Sequence, residues 1–280
     1  NQGMGVACGD WQNAAGSTSV SVTLAIDGSA RVVTGQVDVS GSHTVVAQIV
    51  SEELGIPVEK IKVRLGDTDT VPWNSPSGGS RSAYIAGTAA QRAAIEVKDR
   101  LFKAAAQSLE APEGDLELGS EEIHVKGSPS RSISIGKLVD QEKESDAGPI
   151  TGRYVFGRMP TYPSYSANIA TVEVEPDTGR IHLIDLVATQ DVGKALNPML
   201  VEGQIQGGAV QSVAYAMMEG YIYDEEGHMS NPNLLDYTIP TAVDVPAVKT
   251  YLVELGSEHG PYGAKGVGEP PIVPGAAAIV

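Results

Sequence analysis

Glu269 is the one carboxylate in the stretch Gly260-Pro261-Tyr262-Gly263-Ala264-Lys265-Gly266-Val267-Gly268-Glu269-Pro270-Pro271, where it stands among four glycines and three prolines. Glycine lets a backbone approach a ligand closely, and the two prolines that follow hold the carboxylate in position. Such a group suits general-base chemistry, although a solvated loop glutamate would show the same composition. Three further polar, glycine-bearing stretches accompany helical patterns: Pro76-Ser77-Gly78-Gly79-Ser80-Arg81-Ser82, Ser40-Gly41-Ser42-His43-Thr44, and Asn197 to Gly208, which carries Gln204. Backbone N–H groups and hydroxyls at a helix start can cradle a small anion, with Arg81 adding charge in the first stretch; the plainer reading is a cap and a turn. Three of them beside one fixed carboxylate fit a large ligand with polar edges, gripped at several points. The five histidines show no metal-ligand spacing, and the sequence has neither a Walker loop nor a Gly-x-Ser-x-Gly elbow.

These stretches need elements to position them. Val20 to Ile26 and Arg31 to Val39 alternate apolar and polar residues around Asp27-Gly28, which predicts a β-hairpin. From Ser42, an expected N-cap, Val45, Val46, Ile49, Val50 and Leu54 fall at helical spacing, stopped by Gly55 and Pro57. Ile61 to Leu65 returns as a strand, and an Ala-rich helix is expected from about Ala83 to Ser108. Residues 109–150 are more polar, with a strand pair at Leu116–Leu118 and Ile123–Val125 and a short helix near Ile135 to Glu142, and read as an insertion or lid. A second hairpin, Ile169 to Glu175 and Ile181 to Thr189, leads into a helix over roughly Val201 to Glu219; one or two strands follow between Tyr237 and Leu255. The expected fold class is therefore α+β, two related lobes of antiparallel β-hairpins packed with helices, over 1–108 and 151–280. Pro274 and the Ala-rich run after it predict the start of a helix that the sequence cuts short, so the chain reads as a fragment lacking sequence at both ends.

With 280 residues, 41% apolar and a mean hydropathy of −0.07, the chain has the composition of a soluble globular protein, and no apolar run approaches the roughly 20 residues of a membrane span. Nineteen basic against 35 acidic side chains give a net charge of −16, without the basic cluster that nucleic-acid binding requires. The single cysteine, Cys8, excludes a disulfide framework, a Cys-rich zinc site and an iron–sulfur cluster held by this chain alone, and points to a reducing compartment such as the cytoplasm.

Taken together, the segments Thr44 to Ile49 and Leu54 to Pro57, Asn74 to Ala90, Asp191 to Gly208, Asp236 to Ala242 and Gly260 to Pro271 resemble, in order, the molybdopterin-binding subunit of the molybdenum hydroxylases, the xanthine dehydrogenase and aldehyde oxidase family. The last segment is the most specific, because the family's loop of this form carries its catalytic glutamate, which maps onto Glu269. The resemblance implies that Val39, Ser40, Gly41 and Ser42, with Gly79, Ser80, Arg81 and Ser82, hold the pterin and its phosphates or nucleotide tail, and that Asp191, Lys194 and Gln204 contribute from the third stretch. The cofactor implied is molybdopterin with molybdenum, the cytosine dinucleotide being one form open to it, with no metal ligand from the protein itself. One departure is visible: many members have a Gly-Gln-Gly turn before the first helix, where this chain has the shorter Val39-Ser40-Gly41-Ser42.

The chemistry implied is hydroxylation of an aldehyde or N-heteroaromatic carbon by a molybdenum-bound hydroxide whose proton a carboxylate removes. Implied partners are the remaining half of the molybdenum subunit, an iron–sulfur subunit and a flavin subunit, so that iron–sulfur clusters and any FAD sit on other chains or domains, and the chain alone is inactive. Two other classes stay open at this point: a non-catalytic cofactor- or anion-binding module, and a structural half-subunit.

Overall fold

Twelve residues, Gln2–Asn13, form strand β1, an element that the glycines at 3, 5 and 9 conceal from any reading of alternation. The computed structural model describes the whole chain except Ala14, Leu65, Glu144, Asp146, Ala147, Arg158, Met159 and the side chain of Phe156. Leu65 of the expected strand and three residues of the 109–150 segment thus lie outside the described residues. The chain divides into two compact units, a continuous one over 14–160 and a split one made of 1–13 and 161–280.

In the continuous unit the first hairpin is β2 (Thr18–Leu24) and β3 (Ala30–Thr34), antiparallel, with Val20, Val22, Leu24 and Val32 buried. The second strand ends at Thr34, five residues short of the expected Val39, because loop 66–82 crosses its path: a Cβ at Gly35 would lie 2.3 Å from the Pro72 carbonyl oxygen. Helix α1 (Ser42–Leu54) follows, stopped by Gly55 in the left-handed conformation. Its N-cap is Gly41 at φ 74°, not Ser42, whose hydroxyl donates instead to the Val37 carbonyl. The chain returns as β4 (Ile61–Arg64), parallel to β3. The helix α2 (Ser82–Leu109) buries its alanine face, Ala86, Ala89, Ala90, Ala93 and Ala94. Strands β5 (Leu116–Leu118) and β6 (Glu122–Val125) pair as expected, and β7 (Ser128–Ser134) completes a three-stranded sheet before α3 (Ile135–Glu142). Leu116, Ile123, Ile133, Ile135 and Leu138 join the same hydrophobic cluster as β2, α1 and α2. Last comes β8 (Thr151–Phe156), antiparallel to β2, giving the order β4-β3-β2-β8.

The split unit repeats this plan. Strands β9 (Tyr162–Val174) and β10 (Ile181–Asp191) form the second hairpin, α4 (Pro198–Met217) crosses over, and β11 (Val248–Val253) returns parallel to β10. A final helix, α5 (Ile272–Ile279), starts two residues before the expected Pro274. The order is β1-β9-β10-β11, so β1, from the other end of the chain, fills the edge that β8 fills in the continuous unit. Both sheets are the expected antiparallel hairpins, each extended by one parallel strand that a crossover helix makes possible.

The antiparallel edge strands β1 and β8 each carry a glycine against the helix that covers it. A Cβ at Gly152 of β8 would lie 2.1 Å from the Ala93 carbonyl oxygen of α2, and one at Gly5 of β1 2.1 Å from that of Ala278 in α5. Backbone-to-backbone approach of this kind cannot absorb a side chain. Gly152→Val and Gly5→Val should therefore each destabilise the protein by about 2–3 kcal/mol, while Gly220→Val, with open space around it, should leave the urea midpoint near wild type. Equal midpoints for all three would contradict this account of the packing.

Candidate functional site

A parallel strand pair joined by a helix places the strand's carboxyl end and the next helix's amino end at the same edge of the sheet, where α/β proteins bind their ligands. In the continuous unit the loops concerned run from β3 to α1 and from β4 to α2. They contain Val39, Ser40, Gly41 and Ser42, and Gly79, Ser80, Arg81 and Ser82. Each loop enters its helix through two consecutive left-handed residues, Ser40 (φ 61°) and Gly41 (φ 74°) in one, Gly79 (φ 66°) and Ser80 (φ 55°) in the other. Neither α1 nor α2 has a side-chain cap from its N-cap residue or an acidic residue in its first turn. At α1 the preceding loop supplies acceptors, the Val39 carbonyl for the Ser42 N–H (3.3 Å) and the Asp38 carboxylate for the His43 N–H (3.1 Å), whereas at α2 the N-cap residue, Arg81, makes no side-chain cap.

The two loops are tied together by Gln36, 1% exposed, which the sequence pattern did not single out. Its amide nitrogen donates to the Val37 carbonyl (3.2 Å) and the Ser82 hydroxyl (3.0 Å), and its oxygen accepts from Asn74 (2.9 Å). His43 bonds the Gln36 carbonyl through its ring (2.7 Å) and donates its backbone N–H to Asp38. The structure therefore brings Val39–Ser42 and Gly79–Ser82 together. The Arg81 guanidinium donates to the Pro76 carbonyl (2.6 and 2.8 Å) and to that of Ala15 (2.7 Å), which pins the loop.

In the split unit the corresponding loops run from β10 to α4 and from β11 to α5. Asp191 closes β10, and its buried carboxylate accepts from Gly193 N–H (3.1 Å) and from Lys265, itself 7% exposed. The Lys265 ammonium also lies 4.9 Å above the Tyr162 ring. Backbone bonds from Lys194 N–H to the Gly263 carbonyl and from Lys265 N–H to that of Val192 fasten one loop to the other. Gly193, at φ 63°, permits this, since a Cβ there would lie 2.1 Å from the Gly263 carbonyl oxygen. Lys194 pairs with Glu254 at 3.2 Å; the Ala195 N–H at 2.8 Å, and then Lys194, hold the Glu254 carboxyl below its ordinary range.

Asn197 caps α4 by accepting from Leu200 N–H, with Pro198 in the first turn, so Gly203 to Gly208 lie inside the helix rather than before it. Gln204 is half-buried there, and the glycines on either side, Gly203 and Gly207, face open space. Glu269, also half-buried, immediately precedes Pro270-Pro271, and its carbonyl accepts the Ile272 N–H that starts α5. Gly208 of α4 fits against Pro271, where a Cβ would come within 2.9 Å of the proline ring. Asp191, Lys194 and the Glu269 loop are thus one connected assembly. Among the described residues no group of three or more His, Cys, Asp or Glu gathers to hold a metal ion, and no helix is long and apolar enough to cross a membrane.

Comparison with known proteins places this geometry. The molybdopterin cofactor-binding domain family matches residues 1–246. The carbon monoxide dehydrogenase large chain of Afipia carboxidovorans is 37% identical over 84% of this chain and 30% of its own length. The xanthine dehydrogenase molybdenum-binding subunit of Escherichia coli O157:H7 is 30% identical over 99% of this chain and 38% of its own. Among solved structures, quinoline 2-oxidoreductase from Pseudomonas putida 86 superposes with a TM-score of 0.91 at 28% identity, covering 100% of this chain and 38% of that one. The chain spans about a third of the length of these relatives. It belongs to the molybdopterin cofactor-binding family of the molybdenum hydroxylases.

Proposed function

We propose that this chain is the part of a molybdenum hydroxylase subunit that holds the anionic portion of molybdopterin and supplies the catalytic carboxylate. The observation that carries the first half is the pair of left-handed residues that opens each of the helix starts α1 and α2, with no side-chain cap from the N-cap residue of α2. Left-handed conformation at a residue other than glycine costs about 1–2 kcal/mol, and Ser40 and Ser80 both bear it. Successive backbone N–H groups turned inward in this way form a concave anion site, and a phosphate-bearing pterin fits that donor set. Gln204, on the glycine-flanked face of α4, is a further cofactor contact in this reading. Asp191 and Lys194 contribute through their loop, since their side chains already bond Lys265 and Glu254.

The group, when bound, supplies the activated oxygen and accepts the electron pair. Glu269 takes up the proton released as that oxygen is transferred, and its setting between glycines and prolines limits the positions its carboxylate can adopt. The substrate is an aldehyde or an N-heteroaromatic compound. Electrons leave through iron–sulfur clusters, and any flavin, carried outside this chain, whose one cysteine cannot ligate a cluster alone. The remainder of the molybdenum subunit completes the site, and the reducing compartment suited to Cys8 is the cytoplasm.

The test is made in the complete enzyme, with carbon monoxide, xanthine, quinoline and acetaldehyde as trial substrates. Gly79→Val places a branched side chain at a left-handed position of the anion loop, and should lower molybdenum and pterin content per folded complex severalfold, beyond the modest fall in melting temperature that the backbone strain itself brings; unchanged metal content would refute the assignment. Glu269→Gln should keep molybdenum, pterin and fold while turnover falls by about 10²–10⁴-fold. Near-normal kcat with full cofactor would make Glu269 a structural loop residue.

A further inference from the structure

Buried polar residues gather on one face of the split unit's sheet, at the end nearest the Glu269 loop. Asn13 of β1, Ser164, Ser166 and Asn168 of β9 and Gln190 of β10 are between 0% and 5% exposed. The same sheet's other end, at Ala170 and Leu186, is apolar and equally buried. Every one of the polar five bonds the loop or a neighbour that does. Asn13 Oδ1 accepts from Gly266 N–H at 3.0 Å, and Gln190 Nε2 donates to the Gly266 carbonyl at 3.0 Å and to the Ser164 hydroxyl at 3.0 Å. Ser164 in turn donates to the Asp191 carbonyl (2.8 Å). Ser166 Oγ donates to the Pro270 carbonyl at 2.7 Å, and Asn168 Nδ2 to that of Pro271 at 3.3 Å. The backbone is therefore gripped three residues before Glu269, and again at each of the two residues after it.

Stability alone does not account for this choice of residues. Asn13 Nδ2, Asn168 Oδ1 and Gln190 Oε1 are buried without a partner among the described residues, and a buried polar atom left unpaired is destabilising relative to a satisfied one. Apolar side chains, as at the other end of the face, would avoid that cost. The continuous unit uses the same device at the same place. Gln190 lies opposite Ser166 in the β9–β10 ladder, and extending the β2–β3 register sets Gln36 opposite Thr18. There too the hydroxyl and the glutamine reach the loop before the second helix: Thr18 bonds Asn74, and Gln36 bonds Asn74 and Ser82.

We infer that Ser166, Asn168 and Gln190 are positioning residues for Glu269, a polar rack that fixes the backbone on both sides of the carboxylate without touching it. The inference rests on the reading of Glu269 as the base, and its test separates the two. In the complete enzyme, hydrogen exchange of segment 264–272 is compared for wild type, Ser166→Ala, Gln190→Leu and Glu269→Gln, beside molybdenum content, melting temperature and turnover on the four trial substrates. Ser166→Ala removes one hydroxyl and keeps the test open should Gln190→Leu fail to assemble.

The rack predicts faster exchange in 264–272 for both rack variants, with molybdenum content retained, and kcat lowered by about 10- to 100-fold at unchanged KM, the penalty of a misplaced group. Glu269→Gln should exchange like wild type and lose turnover. Unchanged exchange in both rack variants overturns the inference whatever the turnover, as does faster exchange with normal kcat when Glu269→Gln is inactive. Normal turnover in Glu269→Gln would instead remove the base reading, and with it the positioning role, leaving any faster exchange as evidence of a loop anchor only.

Discussion

A parallel strand cannot be joined to its neighbour by a tight turn, and that constraint decides where the chemistry of this chain lies. In each unit a hairpin is followed by a crossover helix and a parallel edge strand, β3-α1-β4 in one and β10-α4-β11 in the other. The crossover delivers two helix starts to the carboxyl ends of two strands. Of the candidate residues, Val39–Ser42, Gly79–Ser82, Asp191, Lys194 and Glu269 fall on the four resulting loops or at their borders, and Gln204 falls nearly two turns into α4. Duplicating one plan has produced two kinds of loop: a backbone cradle before α2, and a carboxylate held between glycines and prolines before α5.

The polar end of each sheet is what makes those loops definite. A loop of the length of 254–271 loses conformational entropy when ordered, and glycine loses the most. Bonds from the sheet face offset that cost locally, and the buried Lys265–Asp191 pair adds a tie between adjacent loops. Removing one partner of a buried pair leaves an uncompensated charge, at about 3–5 kcal/mol. The pair is therefore a constraint on loop geometry more than a source of net stability.

Much of this was legible in the sequence, for identifiable reasons. Alternation at Val20, Val22 and Leu24 and the turn residues Asp27-Gly28 specify a hairpin locally, and Gly55 marks the end of α1 because it takes the left-handed conformation found there. The α+β class followed from those elements. β1 was hidden because its glycines serve packing against α5 and break the apolar pattern. Ser42 looked like a cap, yet the left-handed pair before it turns its hydroxyl to Val37. The loop lysine and aspartate, Lys265 and Asp191, are 74 residues apart and pair only through the fold. Gln36 and Gln190 carried a faint signal, a polar residue continuing the buried face of a strand, which reads equally well as the strand's end.

The account's central claim is that the starts of α1 and α2 hold the anionic part of the cofactor through backbone N–H groups. A crystal structure of the complete, cofactor-loaded enzyme tests it most directly. Phosphate oxygens of the pterin cofactor should lie within hydrogen-bond distance of N–H groups in segments 40–43 or 80–83, with Ser40 and Ser80 still left-handed. Phosphates held by other segments, with no phosphate at either helix start, would contradict it.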